Sequence, residues 1–338
     1  MKIIQEDTNF QYCIQTPRRF YYAKNILYPF INLFYHILLK SIHKITSPKR
    51  TIYKYQTTLV LIFKDEAPFL QEWLTYHLTL GIDHFYLYQN NSTDNYMEVL
   101  SPYIKSGIVT LNEWPDNPGQ NTAYMHWYKH YRTETKWVSF LDIDEFICPL
   151  RESNIHNLLA HYEIYPVVMI YWKLFGTSGI LHHDYTRLVI EQYHVCRKKY
   201  FTEGKVFYNT LFDINEQPFS MHGFNVKWHN ITIPPVNSFY KFVIWNMHKV
   251  NHKKDIKVQI NHYWSKAYDC WQHKYEKGSA EKGTKWKNLD FLNKLELNCT
   301  SSNYTIFRFI VSVKLKMREY STTVSYTHLR AHETLSDL

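Results

Sequence analysis

From residue 58 the chain alternates between short apolar runs and segments whose apolar positions recur with helical spacing. Leu59-Val60-Leu61-Ile62-Phe63 is the first run, and Glu66 to Leu80 follows with Phe69, Leu70, Trp73, Leu74, His77 and Leu78 at helical intervals. Gly81 stops that helix. His84 to Tyr88 is a second strand, Ser92 or Thr93 caps a helix through about Tyr103, and Ile108 to Leu111 is a third strand. Gln120 to Arg132 is a third helix and Trp137 to Leu141 a fourth strand. This alternation predicts an α/β fold with a mostly parallel central sheet flanked by helices. The strands are apolar along their whole length, which agrees with burial on both faces.

In such sheets ligands bind beyond the carboxyl ends of the strands. Three polar clusters fall at those ends: Lys64-Asp65-Glu66, Gln89 to Asp94, and Asp142-Ile143-Asp144-Glu145. Asp142 and Asp144 are two apart, so on an extended chain they face the same side. Two hard oxygen ligands on one face suit Mg2+ or Mn2+ carrying a phosphate substrate. Taken alone, the pair reads equally as a solvated acidic turn; the convergence of three polar clusters favours a nucleotide-phosphate site. Beyond residue 150, Val167 to Trp172 and Lys205 to Leu211 read as strands and Tyr268 to Lys277 as a helix, while Ile244 to His262 is ambiguous. With no repeat and no long linker, residues 56–320 are expected to form one domain.

Composition adds a location. The net charge of +9 is concentrated in residues 1–55, where nine Lys/Arg meet two acids, which leaves only +2 for the remainder. A nucleic-acid-binding surface would spread its basic charge over the working face, so nucleic acid is not an expected partner. The basic residues flank the apolar segment Ile26 to Leu39. It is shorter than the roughly 20 residues of a spanning helix, is interrupted by Pro29, Asn32 and His36, and lacks a signal-type cleavage site. It reads as an interfacial helix on anionic headgroups, which places the protein in the cytoplasm on the inner face of a membrane. The alternative is a helix packed on the protein's own body. Five scattered cysteines (Cys13, Cys148, Cys196, Cys270, Cys299) without a Cys-x-x-Cys pair read as reduced thiols and exclude a structural zinc site. Cys148 and Cys196 lack a neighbouring base and read as packing residues. Val324 to Thr334 looks like the conceptual translation of a sequencing-library adapter, so 324–338 are set aside as an artefact and the natural C-terminus is expected to be missing.

The ordered series of motifs carries a family resemblance. Phe63-Lys64-Asp65-Glu66-Ala67-Pro68-Phe69-Leu70-Gln71-Glu72-Trp73 resembles the opening of the glycosyltransferase family 2-like and family 92 proteins. Tyr76-His77, Gly81 to Tyr88, Asn90 to Asn95, Trp137 to Phe146, Trp172 to Gly179 and Ile260 to Lys266 follow in family order, over about residues 58–283. The resemblance implies a GT-A fold, a nucleotide-sugar donor of UDP or GDP type, a glycan or lipid-linked acceptor and usually inversion at the anomeric carbon. It implies Mn2+ or Mg2+ on Asp142 and Asp144, with His262, or its rival His222, as a further ligand. Lys64, Glu66 and the loop Asn90-Asn91-Ser92-Thr93-Asp94 would line the nucleoside pocket, although Gln89 stands where the family usually has an acid.

Lys205 and Lys266 are candidate phosphate partners, with a solvated surface lysine the better reading of Lys205. Gly176 and Ser178 would lie where donor and acceptor meet, and Trp172 either presents a face to a sugar ring or belongs to the core. Inversion needs a carboxylate to take the acceptor proton; Asp184, Glu191 and Glu145 are the candidates, beside Asp144 in the reaction centre. Two rivals stand against a transferase. A nucleotidyltransferase would carry a Gly-rich basic phosphate loop, which Lys64-Asp65-Glu66-Ala67 is not. A non-catalytic glycan-binding protein on a degenerate fold would not be expected to retain Asp142 and Asp144.

Overall fold

A computed structural model of the chain describes residues 21–46, 52–201, 203–215, 220–244, 256–277 and 289–320. Cys13 and the segment 324–338 lie outside these residues. In chain order the first half contains α1 (Tyr21–Thr46), β1 (Tyr55–Phe63), α2 (Ala67–Thr79), β2 (His84–Gln89), α3 (Tyr96–Lys105), β3 (Val109–Glu113), α4 (Gln120–His130), β4 (Thr135–Phe140) and β5 (Glu145–Pro149). There follow α5 (Ile155–Ala160), β6 (Val167–Leu174), α6 (Val189–Gln192), β7 (Val195–Cys196) and β8 (Gly204–Asn209). The short strands β9 (Asp213–Ile214), β10 (Val226–Trp228), β11 (Ile231–Ile233) and β12 (Val236–Asn237) lead to β13 (Val258–His262), α7 (Tyr268–Lys277), α8 (Leu289–Glu296) and β14 (Ser301–Ser302).

The central sheet has nine strands in the order β3-β2-β1-β4-β8-β6-β13-β5, with β12 also on β6. It is mostly parallel, and only β8 and β5 run against the rest. This is the helix-flanked α/β architecture with a mostly parallel central sheet that the pattern predicts. The apolar runs explain it: every position of β2 is buried, as are Thr57 to Phe63 of β1. Leu70, Trp73, Leu74 and His77 of α2 turn onto that layer. The helix ends at Gly81, whose φ of +93° favours glycine and whose missing Cβ leaves room for the Asn154 side chain.

One helix start differs from expectation: Ser92 and Thr93 do not cap α3, because Ser92 Oγ accepts from Asp65 N and Thr93 donates to the Asp65 carboxylate, and the helix starts three residues later. Leu39 and Ile42 of α1 belong to the main core. Tyr28 Oη donates to Phe242 O at 2.7 Å, and Asn32 Oδ1 accepts from Phe242 N at 3.1 Å. The opposite face of α1 exposes Ile26, Phe30, Leu33, Phe34 and Ile37, followed by Lys40 and Lys44. Among the described residues no helix is long and apolar enough to cross a membrane.

Candidate active site

The carboxyl ends of the parallel strands and the amino ends of β8 and β5 meet at one edge of the sheet. Asp142 and Asp144 follow β4, Glu145 opens β5, Lys205 is the second residue of β8, and His262 closes β13. His262 pairs in register with Glu145 on one side and Leu174 of β6 on the other. Gly204 permits the close approach of β8, since a Cβ there would lie 1.8 Å from Ile170 O.

Lys205 corrects the expectation of a solvated lysine. Its side chain is fully buried, with Nζ 2.9 Å from Asp142 Oδ2 and 3.4 Å from Glu145 Oε2. Glu145 is also buried, and both oxygens are held: Oε2 accepts from Asp142 N at 2.9 Å and Oε1 from the Trp172 indole at 2.8 Å. Burial, then the nearby Asp142 and Asp144, push the Glu145 carboxyl upward against the pull of Lys205. Asp142 is therefore the nearer charged partner of Lys205, and Glu145 is a buried, hydrogen-bonded carboxyl whose ionisation burial disfavours. Trp172 is core, its ring flanked by His262 at 4.8 Å and His222 at 5.0 Å.

Asp144 stands apart from that triad. Its carboxylate lies 2.5 Å from Lys274 Nζ and 3.6 Å from His262 Nε2. Burial works to raise it, yet Lys274 and then His262 and Lys266 together carry it well below the usual carboxylate range. Burial lowers His262 against the pull of Asp144, so its imidazole is neutral at neutral pH and Lys274 is the counter-charge. His262 Nδ1 is buried without a hydrogen-bond partner. A neutral imidazole beside an ionised carboxylate is competent to hold a divalent ion. Among the described residues no group of three or more His, Cys, Asp or Glu is arranged to do so.

The remaining expected residues are placed as follows. Asp142 pairs with Lys205 at 2.9 Å. His222 engages Gly204 O through Nδ1 at 2.8 Å and faces Trp172, and it makes no contact with Asp144. Glu66 pairs with Lys277, which also donates to Lys64 O at 2.7 Å. Asn90 is buried and donates to Trp114 O and Asp116 O, Asn91 donates to Pro115 O, and Asp94 accepts from Ala67 N, so these side chains lace the loops at the ends of β1, β2 and β3. Lys266, in the left-handed region, lays its ammonium 4.1 Å from the Phe69 ring centre.

Four expectations are not met by contacts at this edge. Gly176 makes room for Glu296, whose carboxylate would be 2.6 Å from a Cβ, and Ser178 Oγ accepts from His194 N and Val195 N. Asp184 is exposed and its carboxylate accepts from Thr186 N and Oγ1; Glu191 is held by Leu188 N and Lys314. Neither acid touches the Asp142–Asp144 cluster. Reading the sequence missed Lys274 and Lys277, whose only signal was their spacing of three on a helix that follows His262. Cys148 and Cys196 are buried free thiols, as expected, with burial pushing the Cys148 thiol up to about 12.

Comparison with known proteins places this geometry. A glycosyltransferase family 92 protein of Ricinus communis is 25% identical over 252 residues, 68% of this chain and 41% of that protein. A rice family 92 protein (Oryza sativa subsp. japonica) is 33% identical over 106 residues, 31% of this chain and 18% of its own length. A galactan beta-1,4-galactosyltransferase of Arabidopsis thaliana is 29% identical over 106 residues, 28% of this chain and 20% of its own length. The chain thus spans under half the length of the curated relatives it matches. Among solved structures, S. aureus TarS (1–349) is 13% identical with a TM-score of 0.32, covering 46% of this chain and 47% of that one. The sequence profile of glycosyltransferase family 92 matches residues 61–287, which span the four strands β4, β5, β8 and β13 that supply the strand-end cluster. The chain belongs to glycosyltransferase family 92.

Proposed function

We propose that this protein is a glycosyltransferase that moves a sugar from a UDP- or GDP-type donor to a glycan or lipid-linked acceptor, with inversion and with Mn2+ or Mg2+ at Asp144 and His262. The observation that carries this reading is the buried Asp144 carboxylate beside the neutral His262 at the shared strand edge. The residues fit such an ion. A carboxylate oxygen and an imidazole nitrogen are a donor set that Mn2+ accepts, and Mg2+ sites commonly use one or two carboxylates with the rest from phosphate and water. The imidazole nitrogen that faces Asp144 is Nε2, 3.6 Å from Oδ1, whereas Nδ1 faces Glu145.

When bound, the ion would offset the charge of the departing diphosphate. Lys205 keeps Asp142 and Glu145 compensated and so fixes the loop that presents Asp144, while Trp172 covers the cluster from water. In this reading Asp142 and His222 are supports rather than ligands. Inversion rests on the family resemblance. The outer face of α1, with its basic end, supports a position on an anionic membrane surface, held rigidly by the inner face.

The test is isothermal titration of UDP, GDP and their sugars with and without Mn2+, followed by donor hydrolysis. UDP-galactose is the first donor to try, because two Arabidopsis relatives are named galactan beta-1,4-galactosyltransferases. The expected result is nucleoside diphosphate binding that needs Mn2+, and hydrolysis that disappears in Asp144→Asn. Failure of every diphosphonucleoside to bind would sink the proposal, and binding of nucleoside triphosphate with a sugar 1-phosphate instead would point to a nucleotidyltransferase.

A further inference from the structure

Helix α7 crosses the edge of the sheet that carries the cluster. Its first turn is tied down, with Tyr268 N donating to Ile180 O and Asp269 N to Leu181 O, both at 3.1 Å. Trp271 packs with Trp264, Leu292 and Leu295 in a small apolar cluster of its own. One face then carries Lys274 and Lys277, three residues apart and therefore neighbours on the helix surface. Lys274 Nζ reaches Asp144 Oδ2 at 2.5 Å and Trp264 O at 3.3 Å. Lys277 pairs with the Glu66 carboxylate and donates to Lys64 O. A single helix thus places two ammonium groups on acids that follow β1 and β4, which are adjacent strands.

Those acids are also where a donor and its ion would bind in the reading above, on which this inference rests. A divalent ion on the Oδ1 side of Asp144, where His262 lies, would share that carboxylate with the Lys274 ammonium 2.5 Å from Oδ2, and two cations so close repel each other. A nucleoside diphosphate, however, brings phosphate oxygens that are better partners for lysine than a carboxylate already shared with a metal. Lysine suits such an exchange: a compact charge on a flexible stem can turn from one oxygen to another without the fixed fork of arginine.

We infer that Lys274 and Lys277 are a diphosphate-binding pair parked on Asp144 and Glu66, released when a nucleoside diphosphate enters with its divalent ion. The exchange keeps every charge matched. Before binding, the pairs are Asp144 with Lys274 and Glu66 with Lys277. Afterwards Asp144 holds the ion and the lysines hold phosphate. Without nucleotide, Lys274 competes with the metal; with nucleotide, it assists retention of both. A helix merely stapled by two ion pairs would behave differently, because removing a staple weakens every binding event in the same direction.

The test uses the full chain and two probes, Mn2+ alone and UDP or GDP in saturating Mn2+. Manganese binding is followed by electron paramagnetic resonance and nucleotide binding by calorimetry. Lys274→Met is expected to bind Mn2+ alone about tenfold more tightly than wild type and the nucleotide about tenfold more weakly. Lys277→Met leaves Mn2+ binding unchanged and weakens the nucleotide by a similar factor, and it carries the test if Lys274→Met fails to fold. Weaker or unchanged Mn2+ binding in a folded Lys274→Met, or unchanged nucleotide affinity in Lys277→Met, overturns this inference alone. Absence of nucleotide binding by the wild type overturns the underlying reading and this inference with it.

Discussion

Replacing Lys205 by methionine removes the only ammonium that, among the described residues, is paired with Asp142 and Glu145. Its side chain and that of Glu145 have no solvent-accessible area, whereas Asp142 is 38% exposed. Solvent can take over the role of Lys205 at Asp142, but it cannot reach Glu145. Breaking a buried pair by removing one partner typically costs about 3–5 kcal/mol, since the surviving charge is left uncompensated. With a urea slope of roughly 3 kcal/mol/M or more, the unfolding midpoint should fall by up to about 1–1.5 M. Burial already pushes the Glu145 carboxyl up, so without Lys205 it takes up a proton and the loss grows with pH. Glu145→Gln supplies the neutral form outright and, added to Lys205→Met, should recover at least about 1 kcal/mol in alkaline buffer, which a double-mutant cycle reads as coupling. If Lys205→Met costs less than about 0.5 kcal/mol, the size of an ordinary surface change, Lys205 is not the buried counter-charge described here. The assay is equilibrium urea unfolding followed by tryptophan fluorescence and circular dichroism.

Two further outcomes are expected. Glu72, fully buried on α2 and accepting from Val189 N and Ile190 N, is pushed up to about 7, mainly by burial. Its native form then holds a proton that the unfolded chain has lost, so this group's contribution to stability falls as pH rises from about 4.5 to about 7, by roughly 3 kcal/mol for the full shift. Glu72→Gln should flatten that decline in thermal unfolding; an unchanged slope would rule Glu72 out as its source. On α1, Phe30→Glu with Leu33→Glu should abolish co-sedimentation with anionic vesicles while leaving the unfolding midpoint in place, because both side chains are exposed. Retained vesicle binding, or a concentration-dependent dimer of the wild type that the changes dissociate, would assign that face to something other than lipid.

The half of the fold built from local signals was legible. The runs Leu59 to Phe63 and His84 to Tyr88, and the helical spacing of Phe69 to Leu78, each declare one element, and their alternation declares the parallel sheet. Asp144 was legible because it follows the recognisable strand Trp137 to Leu141, whereas His262 was suggested only by the family resemblance, since Ile244 to His262 read ambiguously. Lys205 was not. Its burial depends on β8 being inserted between β4 and β6, a pairing between segments more than 30 residues apart that no periodicity records. A lone lysine inside Gly204-Lys205-Val206-Phe207-Tyr208 was nonetheless a usable hint, because solvated lysines seldom sit within so apolar a run. Asp184 and Glu191 lie apart from the cluster, and sequence cannot show that each carboxylate is engaged by a neighbouring Thr186 or Lys314. For α1, composition showed two-sidedness but not that Tyr28 and Asn32 would be anchored by Phe242, more than 200 residues away.

The insertion of β8 also governs the order in which the sheet is completed during synthesis. One edge of β4 pairs with β1, which precedes it, but its other edge pairs with β8, which ends at Asn209. At about 5–20 residues per second, the stretch from residue 140 to residue 209 takes roughly 3–14 s to emerge. Throughout that interval Trp137, Val138 and Phe140 border an unsatisfied strand edge of the kind that recruits other chains. The nascent protein is therefore most exposed to aggregation after its first four strands have formed, and expression conditions that slow elongation there should lower the soluble yield more than slowing it after residue 209.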